Sequence, residues 1–441
     1  FFYLKRNIEF NAGEEIKSWN LDGIVLEPSY MRHVHSESLK KIIGKVDPDE
    51  NGIEGIEYYF NSNLEGTDGE IKYEASPNGR MIPQAEVKTI QPIHGQDLIL
   101  TIDSDLQYLS EGLCEDALIR TEALNCSIVF SNANSGEILI AAEKQSQNKQ
   151  SYDIDLISLR AIYEPGSSLK IFSIGAGIEY GLIDESTKFV VNDFIEVIEG
   201  SCAKNYEGFK ACYRDFLNHE PYELSVMEII ERSSNVGTIL ATQNLNIDYL
   251  EEYLMKFGFG EPTGVELTGE LPGGFRDYNT CATCLSSLSI GYSINVTQLQ
   301  MIRAYSIIAN GGRDVNLSMV KKESTSLDNE QIISYESANR LKKLLINVVD
   351  GENGTGRSLR LENYIIGGKT GTSKTHIEGV GYSDFRYNTS FTGFIETSKG
   401  PVVGSVILWG ASVNPRSEYV TGGSTAAPIF KNIVSNLVPG E

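Results

Sequence analysis

Tyr163-Glu164-Pro165-Gly166-Ser167-Ser168-Leu169-Lys170 is the stretch on which the rest of the chain depends. Pro165 and Gly166 interrupt the backbone, and a helical pattern begins at once. Ser167 and Lys170 stand three apart at the start of that helix, so both side chains emerge on one face. A hydroxyl at a helix N-terminus lies near unsatisfied backbone N–H groups, which favour negative charge. A lysine beside it can accept a proton if burial keeps the amine neutral. The stretch therefore has the parts of an activated serine nucleophile. The spacing alone is weak, because Ser38/Lys41, Ser146/Lys149, Ser201/Lys204 and Ser318/Lys321 share it.

What sets Ser167 apart is its company. Ser233-Ser234-Asn235 follows 66 residues later, and Lys369-Thr370-Gly371-Thr372 lies 136 residues beyond Ser233. No other Lys-Thr-Gly occurs in the chain. Alone, Ser-x-Asn would read as a helix cap. Gly368-Lys369-Thr370 is no phosphate loop, because the earlier glycine it needs falls on Asn363 and no helix follows.

A length of 441 residues exceeds one typical domain and permits a large core. The formal net charge of −23 argues against a nucleic-acid partner and against docking on anionic lipid through a general charge patch. No apolar run approaches the roughly 20 residues that span a bilayer, and no signal peptide is read. The chain opens at Phe1-Phe2-Tyr3, so a membrane anchor is expected upstream of this sequence. Of six cysteines, Cys202 and Cys212 flank a polar stretch with Asn205 and Gly208, an arrangement that allows a disulfide in an oxidising compartment. Cys281-Ala-Thr-Cys284 lacks the second pair a zinc site wants, and no metal or cofactor is expected. Asp47-Pro-Asp49-Glu-Asn51-Gly52 starts like a calcium loop. Tyr58 stands where the bidentate carboxylate belongs, so a turn is expected there.

Two domains are expected. Residues 1–94 read as a smaller, β-rich pedestal, with a strand at Gly23–Leu26, a short helix at Ser36–Ile43, and strands and turns over Asp47–Gly79. Residues 95–441 read as an α+β domain, one antiparallel sheet covered by helices. Its expected strands are Asp97–Asp103, Cys126–Phe130, Glu137–Ile140, Tyr364–Thr372, Asn388–Glu396 and Val402–Gly410. The hairpin ending at Ile140 leads into a polar loop with Gln145–Gln150. Expected helices include Leu106–Glu122 with a Leu106, Leu109, Leu113, Leu118 stripe, a nucleophile helix ending at Gly181, Leu224–Ile230, Val236–Asn244 and Ala426–Leu437.

The triple Ser-x-x-Lys, Ser-x-Asn and Lys-Thr-Gly resembles that of the penicillin-recognising serine enzymes. Phe257-Gly-Phe-Gly260, Gly291-Tyr-Ser-Ile-Asn-Val-Thr-Gln-Leu-Gln300, Ser390-Phe-Thr-Gly393 and Gly422-Gly-Ser-Thr-Ala-Ala-Pro428 narrow it to class B penicillin-binding proteins. Leu100-Thr-Ile-Asp103 resembles the entry into their transpeptidase domain, and Gly52-Ile-Glu-Gly-Ile-Glu57 their pedestal. Ser233-Ser-Asn-Val-Gly237 is similar to the division (septal, FtsI-like) type. Ser168 and Ser373 replace the usual Thr and Ala.

The resemblance implies a peptidoglycan D,D-transpeptidase on the extracytoplasmic face of the membrane. Ser167 would attack the bond between the two terminal D-alanines of a stem peptide, with Lys170 as base. Ser233 would relay a proton to the leaving amine, and Asn235 would hold Lys170 and the substrate amide. Lys369 would add positive potential near Ser233. Thr370 and Thr372, flanking Gly371, would bind the terminal carboxylate, and the backbone N–H groups of Ser167 and Thr372 would form the oxyanion hole. β-Lactams would trap Ser167. A SEDS-type glycosyltransferase and other division proteins are the implied partners. The rival readings are a serine β-lactamase or carboxypeptidase, and a silent β-lactam-binding scaffold. No deacylating Glu is evident for the first, and every catalytic position is filled against the second. None of the five histidines has the context of a base.

Overall fold

The computed structural model describes residues 2–27, 33–34, 37–77, 82, 87–147, 155–204, 206, 211–277, 281–322, 329–377, 381–412 and 420–438. It divides into two compact units, Phe1–Asp97 and Leu98–Glu441.

The first unit contains α1 (Phe10–Ser18), α2 (Glu37–Ile43), α3 (Gly55–Tyr59), α4 (Asn61–Leu64) and the antiparallel pair β1 (Glu70–Lys72) and β2 (Lys88–Ile90). Ile42 and Ile56 are buried where α2 meets α3. Gly44 makes that meeting possible: at φ +88, a Cβ there would sit 1.9 Å from the carbonyl oxygen of Glu54. Two expectations change. Gly23–Leu26 is irregular rather than a strand, and Asp47–Gly79 holds α3 and α4 besides β1. Ser36 and Gly79 lie outside the described residues. Asp47 is occupied by its own turn, its carboxylate accepting from the N–H groups of Asp49 (2.8 Å) and Asn51 (2.9 Å).

The second unit starts with α5 (Ser104–Thr121), capped by Asp103, whose carboxylate accepts from the N–H groups of Asp105 and Leu106, both at 3.0 Å. The strand expected over Asp97–Asp103 is reduced to a single bridge, Leu100 to Val320. There follow β3 (Asn125–Asn132), β4 (Ile138–Gln145), α6 (Ile157–Arg160), a 3-10 turn at Gly166–Leu169, and α7 (Lys170–Glu179). Of the polar loop expected over Gln145–Gln150, residues 148–150 lie outside the described residues. Short pairs come next: β5 (Lys188–Val191), β6 (Phe194–Glu196), β7 (Cys212–Arg214) and β8 (Tyr222–Ser225), with β5 against β8 and β6 against β7. The helices α8 (Val226–Arg232), α9 (Asn235–Thr242) and α10 (Ile247–Lys256) precede β9 (Gly274–Phe275), α11 (Cys284–Ser289), β10 (Ile294–Asn295), α12 (Gln298–Ala309) and α13 (Tyr335–Asp350). The chain closes with β11 (Ile366–Ile377), β12 (Gly381–Ile395), β13 (Val402–Ser412) and α14 (Ala426–Leu437). The helix expected from Leu224 starts at Val226, because Tyr222–Ser225 pairs with β5 instead.

One five-stranded antiparallel sheet, ordered β11-β12-β13-β3-β4, organises this unit. Helices α5 and α14 pack on it, as do α12 and α13. Ile429, Phe430, Ile433 and Val434 form the buried stripe of α14, and Phe430 lies 5.1 Å from Phe130 and 4.8 Å from Phe391 between ring centres. On α5 the buried positions are Gln107, Ser110, Glu111, Cys114 and Ala117, with Leu106, Leu113 and Leu118 at the margin of the core. That shift from the expected leucine stripe has two causes. Cys114 is bonded to Cys126 of β3. Gln107 exchanges two hydrogen bonds with Ala141 of β4 (3.0 and 3.2 Å), closing part of an edge strand. Further along that edge, Leu139 O accepts from Asp103 N and Ile138 N donates to Ser318 O, both at 2.9 Å.

Candidate active site

The turn that carries Ser167 is fixed by backbone contacts that only glycine permits. Gly166 adopts φ +54, and its N–H donates to the carbonyl of Gly291 at 3.0 Å. A Cβ at Gly291 would lie 1.9 Å from the carbonyl oxygen of Gly166. Tyr163 pairs with Val296. Ser167 therefore sits in the 3-10 turn, and the α-helix starts at Lys170 rather than before the serine. Beneath it Ser168 is fully buried, its carbonyl accepting from Tyr305 Oη at 2.8 Å.

Lys170 is fully buried. Its Nζ donates to the carbonyl of Ser233 (2.6 Å) and to Asn235 Oδ1 (2.7 Å), and lies 3.5 Å from Ser233 Oγ. Burial pushes its pKa down from 10.5 to about 7, against the opposing pull of the Asp215 carboxylate. The amine is thus poised between its two protonation states near neutral pH.

Ser233 ends α8 in the left-handed region, at φ 61. Ser234 caps α9, its Oγ accepting from Gly237 N at 2.8 Å. This junction is what turns Ser233 and Asn235 toward Lys170. Asn235 Nδ2 donates to the carbonyl of Arg214 (2.7 Å), which leaves Oδ1 for the lysine.

Lys369 is also fully buried, with Nζ 3.3 Å from the carbonyl of Thr370. Burial, with the neighbouring charge of Lys170 as a second cause, holds it well below the ordinary lysine range. Thr370 Oγ1 donates to Thr355 Oγ1 (2.9 Å), and Thr372 Oγ1 accepts from Gly422 N (3.1 Å). Gly371 lets β11 close on the Ser167 turn: a Cβ there would lie 2.6 Å from Ser168 Oγ and 3.1 Å from the carbonyl oxygen of Pro165. The residues singled out in sequence are therefore gathered from three elements: the turn leading into α7, the α8–α9 junction, and the edge strand β11.

Asp215 belongs to none of the three motifs, yet it organises the second. Its carboxylate accepts from Asn235 N (2.5 Å), Val236 N (3.0 Å) and Ser234 Oγ (2.7 Å), which places a negative charge at the start of α9. His219 joins it, with Nε2 3.2 Å from Asp215 Oδ2 and Nδ1 2.9 Å from the Glu220 carbonyl. Asp215 is in an irregular segment 18 residues before Ser233, where no periodicity marks it. Cys202 and Cys212 are bonded, and Cys212 opens β7, the strand that leads to Arg214 and Asp215. Asn205 and Gly208 lie outside the described residues. Cys281 is bonded to Cys284, so the Cys-x-x-Cys is its own pair.

A family description for the penicillin-binding protein transpeptidase domain matches residues 126–435, and one for the penicillin-binding protein dimerisation domain matches residues 3–100. Stage V sporulation protein D of Bacillus subtilis is 28% identical, over 98% of this chain and 68% of its own length. The peptidoglycan D,D-transpeptidase FtsI of Buchnera aphidicola is 28% identical, over 98% of this chain and 74% of its own. Among solved structures, penicillin-binding protein 3 of Mycobacterium tuberculosis, complexed with ampicillin, aligns with a TM-score of 0.73 at 27% identity, covering 92% of this chain and 90% of that one. No helix among the described residues is long and apolar enough to cross a membrane. With both domain descriptions matched, in this order and on this fold, the chain belongs to the class B penicillin-binding proteins.

Proposed function

We propose that this protein is a serine-type peptidoglycan D,D-transpeptidase, and the observation that carries the reading is the buried amine of Lys170. A lysine with a pKa of about 7, held by Ser233 and Asn235 one helical turn from Ser167, suits a base that must take a proton from a hydroxyl near neutral pH. Ser167 Oγ attacks the carbonyl of the penultimate D-alanine while its proton passes to Lys170 Nζ. The C–N bond to the terminal D-alanine breaks, and the leaving amine receives a proton through Ser233. An amine of a second stem peptide then attacks the ester, expels Ser167 Oγ, and forms the cross-link.

The remaining residues serve charge and orientation. Backbone N–H groups of Ser167 and Thr372 face the oxyanion, a contribution of roughly 3–4 kcal/mol per donor in a comparable serine enzyme. Thr370 and Thr372 take the terminal carboxylate. Lys369, disfavoured as a cation by its burial, becomes positive when that carboxylate arrives beside it, since an adjacent anion favours the charged form. Beyond the nucleophile a cavity of about 310 Å³, bordered by Glu164, Tyr292, Lys374 and Tyr382, offers room for the rest of the stem peptide. Residues 1–94 act as a non-catalytic pedestal. From the division-type resemblance of Ser233-Ser-Asn-Val-Gly237, and by analogy with the relative named FtsI and one solved with ampicillin, the setting is septal wall synthesis on the outer face of the cell membrane, through an upstream anchor. β-Lactams are the covalent inhibitors, and a SEDS-type glycosyltransferase and division proteins the partners.

The test is incubation with a fluorescent penicillin, followed by intact-mass analysis and peptide mapping, with Ser167→Ala alongside. A lasting adduct on Ser167 that the variant lacks is expected, and cross-linking follows in an assay with a stem peptide and an acceptor amine. Rapid drug turnover without an adduct would point to a β-lactamase, and no reaction to a silent scaffold.

A further inference from the structure

Glu231 is the penultimate residue of α8, two before Ser233. The residue is 7% exposed, and neutral donors meet its carboxylate: Asn347 Nδ2 on α13 at 2.9 Å and the backbone N–H of Asn353 at 2.7 Å. Its own carbonyl accepts from Thr355 N at 3.2 Å. The backbone passes close above it, since a Cβ at Gly351 would sit 2.4 Å from Glu231 Cδ. The segment from Gly351 to Thr355 is therefore wrapped on this one side chain. Burying a carboxylate costs free energy unless several donors compensate, and here they are drawn from that segment and from α13.

Thr355, at the end of the segment, meets Thr370 of the Lys-Thr-Gly strand, the two hydroxyl oxygens 2.9 Å apart. Thr370 is the donor. A hydroxyl can both give and accept, so an arriving anion can reverse the bond: Thr355 then donates to Thr370, and the Thr370 hydrogen turns to the anion. Glu231 thus links the element that ends in Ser233 to the hydroxyl across the cleft.

We propose that Glu231 and Thr355 are positioning residues that bridge the two walls of the cleft, Glu231 fixing the Gly351–Thr355 segment so that Thr355 supports the Thr370 hydroxyl in holding the terminal carboxylate of the acyl donor. This rests on the transpeptidase reading above. The test uses the whole chain and stopped-flow acylation by benzylpenicillin, resolved into initial binding and the covalent step. Thr355→Val weakens initial binding about tenfold while the covalent step stays within about threefold, and Thr355→Ser restores binding. Glu231→Gln sets an amide donor against another donor and gives the same binding defect. The double variant Glu231→Gln/Thr355→Val is no worse than either single, because both act through one bond. Unchanged binding in Thr355→Val, or additive losses in the double variant, would overturn the bridge. If Glu231→Gln melts before assay, the Thr355 pair decides alone. A wild-type chain that forms no Ser167 adduct would instead defeat the transpeptidase reading itself.

Discussion

Lys170 Nζ and Asn235 Oδ1 are 2.7 Å apart, although one residue begins α7 and the other begins α9. That bond joins the Ser-x-x-Lys element to the second motif through a fully buried amine. Acylation of Ser167 should therefore follow the free-amine form of Lys170. The amine is protonated below about pH 7 and cannot accept the serine proton, so the rate falls as pH drops through that value and levels off above it. A rate profile against pH with benzylpenicillin checks this, and a flat profile from pH 5 to 9 would remove Lys170 as the base.

The same amine shapes stability. Its folded pKa is about 7 and its ordinary value 10.5, so between these the unfolded chain binds one proton more than the folded one. Stability contributed by this group therefore rises with pH across that window. Lys170→Met lacks the slope, and the melting-temperature difference between variant and wild type should drift in the wild type's favour from pH 7 to pH 10.

Asp215→Asn keeps an oxygen for the N–H groups of Asn235 and Val236 while removing a negative charge that raises the pKa of Lys170. The acylation inflection should move to lower pH with the adduct still formed. Asp215→Ala removes the acceptor altogether, leaves those N–H groups unpaired, and should slow acylation at least tenfold. An unmoved inflection in Asp215→Asn would show that its charge does not reach Lys170.

Gly371→Ala places a methyl 2.4 Å from Ser390 Oγ and 2.6 Å from Ser168 Oγ. Either the strand or the Ser167 turn must move, and shifts on the ångström scale suffice to cost about a hundredfold in rate. Penicillin labelling should drop by that order while the far-ultraviolet spectrum stays that of wild type.

Cys114 and Cys126 are fully buried, whereas Cys202 and Cys212 are both partly exposed. Mild reduction followed by alkylation should label Cys202 and Cys212 before Cys114 and Cys126. Since their bond anchors the strand that ends at Arg214, labelling by penicillin should fall in step with that modification. Replacing both with alanine should cost roughly 2–3 kcal/mol of stability.

The parts legible in sequence were those with local signals. Ala426–Leu437 is helical over the expected residues, and Val402–Gly410 falls within β13. The three motifs meet where local residues allow it: Gly166 and Ser233 at a turn and a cap in the left-handed region, and Gly371 inside β11, where a missing Cβ lets the strand close on the Ser167 turn. What escaped depends on distant partners. Asp215 acquires its role only when α9 arrives beside it, and Gln107 looks like a solvent-facing residue until β4 lies alongside. Likewise the pairings Cys114–Cys126 and Cys281–Cys284 follow from the packed chain rather than from spacing.

The main sheet has two ends, and they are treated differently. At β4, Asp103, Gln107 and Ser318 already hold backbone groups of Ile138, Leu139 and Ala141, so another extended chain finds the first half of that strand taken. At the other end lies β11, the strand of the Lys-Thr-Gly motif. Copies of a sheet can stack into an endless ribbon only if each offers two receptive sides. With half of β4 taken in this way, the sheet lacks the second full edge that an endless ribbon needs.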